Sequence, residues 1–144
     1  MQPMVEKKVM LAIQGVQSDP ARGADESQLV TTGYLKICEG GCCLSYEEND
    51  EEDGHIETRI EMDGGIVRVN RSGPFQANFA FKKGCQCKSV FMTPVGKLEI
   101  EAFPTDVDYR IGETEGSVNL SYQLSMQGRY MGLNHIRINY WQNA

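Results

Sequence analysis

No segment of a dozen residues in this chain carries the apolar stripe of a helix, and that absence leaves a mostly β domain. Long hydrophobic runs are missing as well. The apolar stretch behind Lys7 and Lys8 reaches only from Val9 to Ile13, shorter than a signal-peptide core and far short of a membrane span. A cytoplasmic protein without membrane contact is expected. Basic charge is scarce: 14 lysines and arginines stand against 20 acidic residues, for a net charge of −6. That sign is wrong for tracking a phosphate backbone, so no nucleic-acid partner is expected. The motifs of common enzyme classes are absent too, with no nucleophile elbow, Walker loop, dinucleotide fingerprint or zinc-peptidase helix. The sequence therefore favours a protein that is not an enzyme and names no catalytic residue or cofactor.

What the chain has is alternation. In VNLSYQLSM, Val118, Leu120, Tyr122, Leu124 and Met126 face one way, and the polar residues between them face the other. In HIETRIEM, Ile56, Thr58, Ile60 and Met62 oppose His55, Glu57, Arg59 and Glu61. The pattern predicts strands near 5–16, 27–38, 42–48, 55–63, 65–71, 75–82, 86–93, 96–103, 116–126 and 130–141. Glycines at Gly40-Gly41, Gly64-Gly65, Gly84, Gly96 and Gly128 supply the short hairpins that join them antiparallel. At 144 residues the chain fits one domain, 1–144. Strands with one apolar face must bury it. A meander of eight to ten strands does so best as an all-β, single antiparallel up-and-down β-barrel, which also removes its edges; a two-sheet sandwich is the alternative. The apolar phase flips around Phe103-Pro104-Thr105-Asp106, which predicts a bend or loop, and again in the last strand, which predicts a bulge at Gly132-Leu133-Asn134.

Several candidate sites dissolve on inspection. Six acidic side chains crowd between Glu47 and Asp53, but aligning Gly54 with the invariant glycine of a calcium loop puts Ile60 where a bidentate glutamate is required. A solvated turn is expected. Cys38, Cys42, Cys43, Cys85 and Cys87 are odd in number and lack the C-x2-C spacing of a zinc knuckle, and adjacent Cys42 and Cys43 on a strand face opposite ways. Free thiols are expected, and no metal. His55 and His135 alternate with charged and polar residues on wet faces.

Parity isolates one constellation. Glu48 shares a face with Leu44 and Tyr46, and Arg71 shares one with Val67 and Val69, so both charges point inward. Buried charge is costly unless paired, so the two either pair with each other or Arg71 awaits an anionic ligand. With Tyr46 and Tyr122 they add a few polar groups to an apolar lining, the usual make-up of a small-molecule site.

The tract YEE at 46–48, Arg71-Ser72-Gly73, the strand from Phe79 to Phe81, Thr93 to Gly96 and the closing LSYQLSMQGRYMGLNHIRI resemble the YwiB-like family of uncharacterised bacterial proteins over nearly the whole chain. The resemblance implies a calycin-like β-barrel, related in architecture to lipocalins, and brings no catalytic residues with it. The resulting expectation is a barrel that holds a small, partly apolar ligand through Tyr46, Glu48, Arg71 and Tyr122. The alternative is an interaction protein with a side-chain-filled barrel that meets partners through its outer surface or acidic loop.

Overall fold

A computed structural model describes residues 5–19, 21, 23–38, 40–50, 54–74 and 76–142, and of Val5, Cys38 and Asp50 it describes the backbone alone. Among these residues there is no helix. The strands are β1 (Val5–Asp19), β2 (Gly23–Cys38), β3 (Gly41–Asp50), β4 (Gly54–Asp63), β5 (Ile66–Ser72), β6 (Gln76–Phe81), β7 (Cys87–Thr93), β8 (Gly96–Arg110), β9 (Glu115–Met126) and β10 (Arg129–Trp141). Each pairs antiparallel with its chain neighbours and β10 pairs with β1, closing an up-and-down barrel. That closure rules out the sandwich.

Alternation sets the faces as expected. In β4, Ile56, Thr58, Ile60 and Met62 are buried while His55, Glu57 and Arg59 are exposed. The hairpins follow from their glycines: Gly64 and Gly65 both hold positive φ, 62° and 80°, the left-handed pair that a two-residue turn between twisted strands needs. One expectation narrows to a bulge, and one needs correction. There is no loop at Phe103-Pro104-Thr105-Asp106; β8 runs through it, and the phase flips because the register with β9 slips between Pro104 and Asp106. One extra residue, Thr105, restores an inward face at Val107 and Tyr109, and its hydroxyl donates to the Ser121 carbonyl. In β10 the slip lies between Tyr130 and Gly132, earlier than Gly132-Leu133-Asn134. Gly132 has φ of 120° and lies against the Ser18 carbonyl, where a side chain has no room.

The interior divides into two halves. Toward the end bearing the β2–β3, β4–β5 and β8–β9 turns, Leu11, Leu35, Leu44, Met62 and Val67 are fully buried. Tyr140 locks the β8–β9 turn there, donating to the Gly112 carbonyl at 2.7 Å and accepting from its amide at 2.9 Å. Tyr109 accepts from the Gly65 amide at 2.9 Å and so ties β8 to the β4–β5 turn. Toward the opposite end, the inward positions of β1 and β2 shrink to Gly15 and Ser27, which face each other across the ladder. A Cβ on Gly15 would sit 2.9 Å from the Ser27 hydroxyl.

The wall also varies. β2 and β3 pair from Cys38↔Gly41 to Gly33↔Tyr46 and then diverge: among the described residues, 23–32 pair with β1 alone and 47–50 with β4 alone. Gly33 marks the fork, lying so close to the Ser45 carbonyl and the Leu11 side chain that it cannot carry a Cβ. Between β6 and β7 the described ladder is the single pair Gln76↔Met92. Farther along this seam the Asn78 amide donates to the Ser89 hydroxyl and the Ala80 amide to the Cys87 sulfur, each at 3.4 Å.

Candidate functional site

The register of three strands builds the site. Tyr46 on β3, Thr58 on β4 and Arg71 on β5 are direct cross-strand neighbours, and Glu48 opposes Ile56 one inward position along. From this row the Arg71 guanidinium reaches diagonally: Nη2 lies 3.4 Å from Glu48 Oε1, and Nε donates to Thr58 Oγ1 at 3.4 Å. The two charges are therefore paired, as parity suggested, but they are not deeply buried, with 36% of the Arg71 side chain and 28% of the Glu48 side chain exposed.

The pair stands on the wall of a cavity of about 420 Å³. Tyr46, Glu48, Thr58 and Arg71 supply its polar side from β3–β5, while Ile13, Leu29, Leu120, Ile136 and Ile138 supply apolar wall from β1, β2, β9 and β10. Three of the four expected site residues thus share one cavity. Tyr122 is placed differently: its ring packs on Phe81 at 4.9 Å, Phe81 stacks on Phe79, and Phe79 meets Phe91 edge-on. It still feels the site. Burial pushes its phenol up to about 12, with the Arg71 charge acting in the opposite direction. The Tyr46 phenol is also raised, by burial first and by the Glu48 charge next, against a hydrogen bond with Thr58 and the Arg71 charge. Both tyrosines remain neutral near pH 7 and can donate or accept a hydrogen bond.

Thr58 was missed as a site residue, although its position on an apolar face was visible; a polar side chain 1% exposed, bonded to the guanidinium, is what holds Arg71 in place. Gly15 and Ser27 were missed because small residues give no hydrophobic signal. The remaining candidates lie elsewhere. Cys85 and Cys87 are free thiols, and Cys42 is buried against Met62. His55 and His135 are exposed, bonded to Asn49 at 3.0 Å and Ser121 at 2.7 Å. Among the described residues no group of three or more His, Cys, Asp or Glu is placed to hold a metal. The tip of the acidic turn, Glu51 to Asp53, lies outside the described residues, while Ile60, at the position a calcium loop gives to glutamate, is buried in the core.

Comparison with known proteins agrees with the fold. A family model described as a domain of unknown function, DUF1934, matches residues 11–138. The chain belongs to that family. A DUF1934 relative is the uncharacterised β-barrel protein YwiB of Bacillus subtilis, 24% identical over 110 residues, which cover 76% of this chain and 77% of YwiB. The crystal structure of YwiB superposes with a TM-score of 0.86 at 23% identity, covering 98% of this chain and 96% of that one. The fold of the two proteins is the same. No helix among the described residues is long and apolar enough to cross a membrane.

Proposed function

We propose that the hollow half of the barrel binds one small, partly apolar molecule, and that the protein is a binding protein of the cytoplasm rather than an enzyme. The observation that carries this is the cavity of about 420 Å³. Small-molecule sites start at about 300 Å³ and combine an apolar lining with a few convergent polar groups, and this one sets Tyr46, Glu48, Thr58 and Arg71 against aliphatic wall. Because Glu48 and Arg71 neutralise each other, the site suits a ligand without net charge whose hydroxyl, carbonyl or amide meets the polar side. Small up-and-down barrels of the lipocalin kind hold single ligands in this manner, an analogy of architecture. The free thiols of Cys85 and Cys87 fit a reducing compartment.

Native mass spectrometry of protein purified from its own host should find a non-covalent adduct that Ser27→Phe, which places a ring at the cavity wall, removes without unfolding the chain. A wild-type protein that carries no adduct and gains no stability from a library of small neutral compounds would end this reading in favour of an interaction protein.

A further inference from the structure

We propose that an extended peptide segment of a partner protein, alternating basic and small apolar residues, docks in the fork between β2 and β3 and pairs with the open edge of β2. Three independent observations support it.

The first is the edge itself. Along residues 23–32, β2 pairs with β1 and, among the described residues, with nothing on its β3 side. An open edge of this length is a template for another strand, and proteins usually blunt such edges with lysine, proline or a cover. Residues 23–32 contain neither lysine nor proline.

The second is space. The fork opens onto a groove of about 570 Å³, between Thr31 and Thr32 on one side and Glu47 and Asn49 on the other.

The third is charge. Glu47 and Glu57 stand directly opposite each other on β3 and β4, both exposed. Like charges so placed repel, and no fold requirement calls for them. His55 approaches Glu47 at 3.6 Å but neutralises it only when protonated. Lys8 is the one base against Glu47 and Glu57 in the groove's lining. A strand inserted here would point alternate residues outward, toward the Glu47–Glu57 pair, and the others inward, toward Leu29 and Tyr46. Basic residues suit the outward positions and small apolar residues the inward ones. Recognition of this kind takes its affinity from main-chain bonds and its selectivity from the alternate side chains.

The test uses the full chain and a labelled peptide alternating lysine and valine, about as long as the free edge. The expected result is saturable binding, with alternate amides within residues 23–32 gaining protection from hydrogen exchange. Glu57→Lys should weaken binding about tenfold, and a glutamate–valine peptide should not bind. A lysine–valine peptide N-methylated at its edge-facing amides should also fail. If the methylated peptide binds as well as the parent, the contact is surface charge and strand pairing is refuted. If the edge amides are already protected in the free protein and light scattering gives a dimer, the edge belongs to a second copy and the proposal is overturned. Absence of binding by the lysine–valine peptide overturns it as well.

Discussion

The two halves of the barrel are made from the same ten strands, yet one is filled by fully buried side chains and the other holds a cavity open to solvent. The difference lies in a few inward positions. At the packed end β1 and β2 present Val9, Leu11 and Leu35; at the hollow end they present Gly15 and Ser27. With β2 and β3 parted in this half, nothing draws the facing strands in over the small inward residues, and the missing volume remains as space. The packed half accordingly carries the stability, and the hollow half is free to carry polar groups that a dense core would exclude.

The sharpest way to break this contrast is to truncate one leucine in each half. Leu44→Ala, at a fully buried position, should cost about 3 kcal/mol in urea unfolding. Leu29→Ala, on the cavity wall and already partly exposed, should cost about 1 kcal/mol. Equal losses would mean that the cavity closes in solution. The charge pair comes next. A deeply buried pair would lose about 3 to 5 kcal/mol on removal of one partner. With Arg71 36% and Glu48 28% exposed, Arg71→Met and Glu48→Gln should each cost about 1 kcal/mol instead, and the double replacement less than their sum. Losses near the buried value would show that the hollow half shuts over the pair.

The smallest effect concerns Tyr122. Its phenol is raised from 10.0 to about 12, so the folded chain holds that proton more tightly than the unfolded one. The resulting stability is complete below about pH 10 and is lost as pH rises through about 12. Thermal melts should therefore be level up to about pH 10 and fall between there and about pH 12. Tyr122→Phe should change neutral-pH stability by less than about 0.5 kcal/mol while blunting the alkaline decline. An unchanged alkaline limb would place the phenol in better contact with water than its packing on Phe81 implies.

How much of this was legible in the sequence follows the same division. The ten strands and the inward direction of Glu48 and Arg71 could be read from period two, because parity is a local property of a strand. The wing formed by the end of β1 and the start of β2 could not. Residues 17–27 are almost entirely polar or small, so alternation ends near Val16 although the ladder continues to Asp19↔Gly23. Nor could the cavity be read, since parity gives the face on which a side chain lies but not the distance to the opposite wall. The phase flip places the second bulge one step late because it counts Leu133 as inward, whereas Leu133 is exposed and the register slips before Gly132.

The uneven wall also orders events in time. The ladder from Met10↔Trp141 to Ser18↔Leu133 joins the first strand to the last, and forming it requires closing nearly the whole chain into a loop. Contacts of such sequence separation are slow to form, so the encounter of β1 with β10 limits how fast the barrel folds. The β6–β7 seam joins neighbours in sequence and forms readily, but a hydroxyl and a thiol stand in for ladder carbonyls along it. It should open before the β1–β10 ladder does, with the amides of Asn78 and Ala80 exchanging their protons ahead of those in that ladder.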